Sequence, residues 1–324
     1  MSEIVAADIG GTHARFALAE IDGGAVVRLG DAATLRTADY SSLESAWQAF
    51  AAEAGRPLPR AAGIAVAAPI RGDPLKLTNN PWIIRPRQLG ETLGLDRFTL
   101  VNDFGAVAHA VAQLGEAAFR PLCGPDVPLP ATGIVSIVGP GTGLGVAQLL
   151  RRDDGLHQVV ETEGGHIDFA PLDSIEDAIL QRLRGRYRRV SVERVVSGMG
   201  LANIHEALAA IEGRAIAPRD DAQFWSAALA GDDSLATAAL DRFCMSLGAI
   251  AGDIALAQGA SAVVIAGGLG LRLVDRLPRS GFAERFVAKG RYEPLMGGIP
   301  VKLIVHEQPG LYGAAAAFAR AHRS

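Results

Sequence analysis

The chain has 324 residues, 49% of them hydrophobic, and a formal net charge of -4. This leaves room for two lobes with separate cores and argues against long disorder. No long run of Lys and Arg is present, and Cys123 and Cys244 stand in no metal-ligand spacing, so neither a nucleic-acid partner nor a Cys-built zinc site or disulfide framework is expected.

Chain order begins with an apolar run, Ile4-Val5-Ala6-Ala7, then a glycine bend at Asp8-Ile9-Gly10-Gly11-Thr12, then alternation over residues 15–20. The pattern predicts a β-hairpin. Ser41-Ser42-Leu43-Glu44 opens a helix running through 46–54. Strands are predicted at 62–67 and 98–101, and a helix over 103–114.

A second segment resembles the first. Residues 134–138 read as a strand, Gly139-Pro140-Gly141-Thr142-Gly143 as a bend and 144–150 as a returning strand. At a constant offset of 130, Ile4, Val5, Gly11, Thr12 and Ala17 match Ile134, Val135, Gly141, Thr142 and Ala147. The repeat predicts two equivalent α/β lobes. A long helix capped by Ser234 should stop at Gly259, with a strand at 263–266 running into Gly267-Gly268. A strand at 299–305 follows. Pro309-Gly310 then breaks the chain before a last helix over 311–322, which returns to the first lobe.

The N-terminus lacks the basic and apolar regions of a signal peptide. The uncharged stretches 127–150 and 254–271 are interrupted by glycine, so no membrane span is expected and the cytoplasm is the expected location.

Glycine bends after strands let backbone N–H groups approach an anion. In the first bend, Thr12 can donate to a phosphate oxygen and Asp8 can hold Mg²⁺ directly or through water. A tight hairpin with a solvated aspartate would read the same way. The second bend, Gly139 to Gly145, is no dinucleotide fingerprint, because Leu144 stands where glycine is needed. Walker motifs are absent, since no glycine precedes a lysine. Gly267-Gly268 offers backbone room for a flat nucleoside, or is a plain turn.

Three such bends in this order resemble the actin–hexokinase superfamily. The blocks Val101-Asn102-Asp103-Phe104, Glu161-Thr162-Glu163-Gly164-Gly165-His166-Ile167-Asp168-Phe169, Glu193-Arg194-Val195-Val196-Ser197-Gly198 and Val305-His306-Glu307-Gln308-Pro309-Gly310 are similar to the bacterial glucokinase family. The resemblance implies an α/β, two-lobed actin/hexokinase-like (ribonuclease H-like) fold with a cleft between lobes that closes over glucose. It implies a small α/β domain of residues 1–113 plus 309–324 and a large α+β domain of 114–308. It also implies ATP-dependent phosphorylation of D-glucose at its 6-hydroxyl, with ATP and Mg²⁺ as cofactors, and a homodimer.

Carried over by position, Asn102, Asp103, Glu163, His166 and Glu193 would bind the sugar, with Asp103 as the general base. Ala7, Asp8, Ile9, Gly10, Gly11 and Thr12, with Gly141, Thr142, Gly143, Gly267 and Gly268, would bind the nucleotide, and Asp8 the metal. Asp103 also suits a helix N-cap, His166 a hydrogen-bonded core histidine and Glu193 a surface turn. Asp168 and His306 read as structural support, and His109 as a packed or surface residue. His13 and Met199 stand where the family often has Asn and Pro. A kinase for another hexose or amino sugar, or a non-catalytic sugar sensor, remains open at this point.

Overall fold

The computed structural model describes residues 1–77, 80–216 and 221–323. Its contacts divide the chain into two units. Unit 1 is 1–118, 157–161 and 306–324, and unit 2 is 119–156 and 162–305.

In chain order unit 1 begins with β1 (Ser2–Ile9), β2 (His13–Asp22), β3 (Ala25–Leu29) and β4 (Ala33–Arg36). Helix α1 (Leu43–Ala54) is closed at its start by a reciprocal Ser42–Ser45 capping box and at its end by left-handed Gly55. Next come β5 (Ala61–Val66), the short strands β6 (Leu75–Lys76) and β7 (Ile83–Ile84), α2 (Leu89–Leu93), β8 (Arg97–Asn102) and α3 (Asp103–Gln113).

Unit 2 follows with β9 (Phe119–Cys123), β10 (Gly133–Pro140) and β11 (Leu144–Arg151), and the chain continues into β12 (His157–Thr162), whose residues 157–161 belong to unit 1. Its helices are α4 (Ser174–Arg184), α5 (Gly198–Ile211), α6 (Asp221–Ala230) and α7 (Ser234–Gln258). Strand β13 (Ala262–Ile265) precedes α8 (Gly267–Arg272), α9 (Phe282–Val287) and α10 (Glu293–Gly297), and β14 (Val301–Ile304) ends the unit. The chain then returns to unit 1 as α11 (Pro309–Ala321).

Each unit is built on the same sheet. The first runs β3-β2-β1-β5-β8 with β4 also beside β2, the second β12-β11-β10-β13-β14-β9. In both, an antiparallel hairpin (β1–β2, β10–β11) is extended by parallel strands (β5 and β8, β13 and β14). The inner strands β5, β13 and β14 are buried at every position, because layers cover both faces of the sheet.

One face of the first sheet carries Phe16, stacked on Phe50 and edge-on to Trp47 of α1. The other meets α11, where Gly63 and Gly313 admit backbone contact. A Cβ at Gly63 would lie 2.1 Å from the Ala314 carbonyl oxygen, and one at Gly313 would lie 1.8 Å from that of Ala106. Helix α7 is long and apolar enough to cross a membrane by length and composition, yet Leu235, Leu240, Phe243, Leu247, Ile250 and Ile254 are buried in the core of unit 2. Its apolarity serves packing on several sides.

The boundaries depart from those read at 113/114 and 308/309, for physical reasons. Phe119 begins a strand that pairs with β14. His306 accepts the Gln308 N–H and meets Tyr312 of α11 edge-on. Residues 157–161 join unit 1 because His157 meets His109 and Glu161 accepts the Asn102 N–H.

Two local corrections belong here. The cap of α7 is Asp233, which accepts from Leu235 N and Ala236 N, while Ser234 is already helical. Pro309 and Gly310 are the first residues of α11 rather than a break before it, since a helix's first turn needs no N–H from proline.

Candidate active site

In unit 1 the parallel strands bring two predicted pieces to one edge. Ile9 is in register with Val66, and Val66 with Asn102. The Gly10-Gly11-Thr12 bend and the Asn102-Asp103 pair therefore leave the same carboxyl edge, about 10 Å apart at two strand spacings. That edge is where open α/β sheets place ligands.

The bend is closed by Gly10 N donating to His13 O (2.9 Å). Its carbonyls are held from outside. Thr37 donates through Oγ1 to Gly11 O (2.8 Å) and through N to Thr12 O (3.0 Å), and Asn80 Nδ2 also donates to Gly11 O (3.4 Å). Ala7 and Ile9 are buried strand residues, and the Thr12 side chain is exposed.

Asp8 is a desolvated carboxylate, its side chain 19% exposed. Burial pushes its carboxyl above the ordinary value, and Arg15, whose Nη1 is 3.5 Å away, opposes the shift. Gly310, in the first turn of α11, lies against it, and a Cβ there would be 2.6 Å from Asp8 Oδ2. Among the described residues no group of three or more His, Cys, Asp or Glu could close around a metal. A single carboxylate fits Mg²⁺, which keeps several waters and takes further oxygens from phosphates. It does not fit an all-protein metal cage.

The Asn102-Asp103 pair divides its work. Asn102 is extended (φ -65°, ψ 152°) and is the N-cap of α3. Its Oδ1 accepts from Phe104 N (2.9 Å) and Gly105 N (3.3 Å), and its Nδ2 donates to Ala68 O (3.2 Å). Asp103 is the first helical residue, and its Oδ1 accepts from Phe104 N at 2.9 Å. The capping role open to Asp103 in the sequence falls to Asn102, whose side-chain oxygen takes two backbone N–H groups of α3.

In unit 2 the remaining pieces meet around Leu144. The bend Gly141-Thr142-Gly143 is closed by Gly141 N donating to Gly143 O (2.8 Å), and Gly198 N donates to Gly141 O (2.8 Å) at the start of α5. Gly267, at φ 80°, opens α8. A Cβ on it would lie 2.5 Å from Pro140 O, so the second and third bends touch and only glycine fits between them. Gly268 has open space around it.

The Glu163 to His166 turn lies on the same hairpin. A Cβ at Gly165 would be 2.0 Å from Leu144 O, and one at Gly164 would be 3.0 Å from Val146. Both side chains at its ends, Glu163 and His166, are exposed. Val192 N donates to Ile167 O (2.9 Å), which brings Glu193 beside the bend, and Glu193 Oε2 accepts from Leu144 N (3.0 Å). Glu193 is thus bonded to the bend rather than being a bare surface turn, and Gly143 leaves room for its carboxylate.

Other predicted residues have supporting roles. Asp168 is exposed and pairs with Arg189 (2.6 Å). His306 Nδ1 accepts from Gln308 N (3.1 Å), and burial lowers its pKa, which suits a neutral acceptor. Met199 is 51% exposed and takes contacts from Arg194 and Tyr187. Thr37 and Glu161 escaped the sequence reading. Thr37 carries no motif around it, and Glu161 has the same residue type as Glu163 two positions on, with no local signal that its partner is the distant Asn102 N–H.

Two sheets of like topology, each with glycine bends at its carboxyl edge and with carboxylates beside them, are an α/β arrangement that suits binding of an anionic ligand. The chain belongs to the glucokinase family, whose model matches residues 5–321. It is 62% identical over 317 residues to a glucokinase of Zymomonas mobilis, covering 98% of each chain. A glucokinase structure from an Antarctic psychrotroph superimposes with a TM-score of 0.83 at 34% identity, covering 98% of this chain and 99% of that one. The glucokinase of Balamuthia mandrillaris, solved in complex with glucose, shares the fold at 20% identity and a TM-score of 0.78 over 98% of this chain and 94% of that one.

Proposed function

We propose that this protein transfers the γ-phosphoryl group of ATP to the 6-hydroxyl of D-glucose, with Asp103 as the general base. One observation carries the reading: the Glu163–His166 turn and Glu193 are built onto the same hairpin as the Gly141–Gly143 bend. Hydroxyl-recognising groups and an anion-accepting backbone share one support.

Phosphoryl transfer needs positioning, charge neutralisation and a proton acceptor. Glu163, His166 and Glu193 orient the sugar through its hydroxyls. A site built on such bonds rejects epimers that leave its polar groups unpaired, by factors up to about 10⁴. Asp103 takes the hydroxyl proton as the oxygen–phosphorus bond forms and ADP departs. It lies in the first turn of α3, where the helix N-terminus interacts favourably with negative charge.

The bends at 10–12, 141–143 and 267–268 hold the nucleotide through backbone N–H groups. Asp8 would hold Mg²⁺, which when bound neutralises phosphate charge. The protein works in the cytoplasm as a homodimer, without a nucleic-acid or membrane partner. The support is family membership together with the net charge of -4.

The test is a coupled assay of ADP release with ATP, Mg²⁺ and a panel of hexoses. Turnover on glucose should far exceed that on mannose, fructose or N-acetylglucosamine. Asp103→Ala should lose several orders of magnitude in kcat while glucose binding is largely kept. Undiminished turnover in that variant would refute the base assignment.

A further inference from the structure

Glu161 is placed oddly for a residue of unit 2's chain region. Residues 157–161 are flanked on both sides by unit 2, yet their contacts join them to unit 1. At the end of this stretch, Glu161 Oε1 accepts the backbone N–H of Asn102 at 2.8 Å, a bond spanning 59 residues. Gly105 makes way for the same carboxylate. A Cβ at position 105 would lie 2.5 Å from Glu161 Oε1, 2.9 Å from Cγ and 3.0 Å from Cδ. Asn102 is thereby fixed at its amide by Glu161 and at its side chain by Ala68, Phe104 and Gly105. Asp103 is the next residue and inherits its backbone direction from that clamp.

We propose that Glu161 is a positioning residue for the Asp103 base. Its carboxylate makes a charge-assisted bond to a backbone amide, stronger and stiffer than a neutral one. That bond sets the Asn102 peptide at the point where β8 turns into α3, and so aims the Asp103 side chain. Misplacing a reacting group by about 1 Å can cost on the order of 100-fold in rate. The inference rests on the assignment of Asp103 as base.

The experiment compares kcat and KM for glucose and ATP in wild type and in Glu161→Ala, Glu161→Gln, Gly105→Ala, the Glu161→Ala/Gly105→Ala pair and Asp103→Ala. Circular dichroism and melting temperature check the fold. Glu161→Ala should lower kcat about 10- to 100-fold with KM for ATP changed less than about 2-fold. Glu161→Gln, whose amide oxygen can still accept the Asn102 N–H, should recover kcat to within about 3-fold of wild type. Gly105→Ala should mimic the loss, and adding it to Glu161→Ala should cost little more, because the clash partner is gone.

An Asp103→Ala enzyme without turnover beside an unchanged kcat in Glu161→Ala overturns this inference alone. Loss in Glu161→Ala that Glu161→Gln does not restore also overturns it. Turnover surviving in Asp103→Ala overturns the base assignment and this inference with it.

Discussion

Asp8 sets a conflict between stability and use at the scale of one residue. Its carboxylate is desolvated, and Arg15 at 3.5 Å compensates only in part, so the pKa stands above the ordinary value. A folded carboxyl with a raised pKa binds its proton more tightly than the unfolded chain does. Stability therefore falls as pH climbs through and above the usual carboxylate range near ~4, and the penalty disappears below it. Asp8→Asn removes the penalty. The variant should melt higher than wild type at pH 7, with the gap closing as pH is lowered to about 4, and should have lost ATP-dependent turnover. Thermal melts at several pH values, with the coupled assay alongside, read both. A wild type that melts higher at pH 7 would contradict the argument. At this scale the sequence singled out residues whose type is rare in a turn, such as Glu163 and His166 on their Gly-Gly bend, and the structure leaves both side chains exposed there. The sequence could not choose between capping and catalysis at Asp103. Capping depends on which residue is extended at the end of β8, and the backbone angles of Asn102 give that role to Asn102. Gly310 likewise looked like a helix breaker because its neighbour, Asp8, is 302 positions away in the chain.

Helix α3 ties the site to an acid-sensitive element. His109 on α3 faces His157, with Nδ1 and Nε2 3.4 Å apart. Burial, then the charge of His157, then that of Arg320 on α11, lower the His109 pKa to about 3. The native state holds His109 neutral while the unfolded chain protonates it below about 6.5. Stability is therefore lost as pH falls from about 6.5 toward 3, with roughly 2 kcal/mol gone by pH 5. His109→Gln should flatten this limb. In urea titrations the free-energy difference between pH 7.5 and pH 5 should be smaller in the variant by roughly that amount, and equal slopes would reject it. Elements were legible where periodicity or capping chemistry is local, as in α1 with Ser42 and α7 stopped by Gly259. The internal repeat shows the limit. Ile9 pairs with Ala14, but its offset equivalent Gly139 pairs with Gly145, so the returning strand of the second hairpin is shifted by one residue. A constant offset holds on the outgoing strand, including the Gly-Thr bend. It slips on the return, so Ala147 is not the register equivalent of Ala17.

For the whole molecule, the repeated sheet means that one carboxyl edge was made twice and then furnished differently. Unit 1 carries Asp8, Thr12, Asn102 and Asp103, while unit 2 carries Glu163, His166, Glu193 and two glycine bends. Length and composition foretold two cores, but not that five residues of one stretch would pack with the other unit, because that depends on contacts such as Glu161 to Asn102. The proposed division of roles makes a prediction about global stability. A ligand that binds only the folded protein stabilises it by RT ln(1 + [L]/Kd), about 2.7 kcal/mol at 100-fold over Kd. Glucose should therefore raise the melting temperature of wild type by several degrees without nucleotide present. Asp103→Ala should retain most of that rise, since it loses a base rather than the sugar's other partners. Glu163→Gln should lose most of it, because a carboxylate acceptor at the turn becomes an amide that offers hydroxyls a weaker bond. Scanning calorimetry of the three proteins with glucose, and with mannose as a control epimer, separates binding from turnover. A full glucose shift in Glu163→Gln would remove that residue from the sugar set, and a shift absent from Asp103→Ala would make Asp103 a binding residue first and a base second.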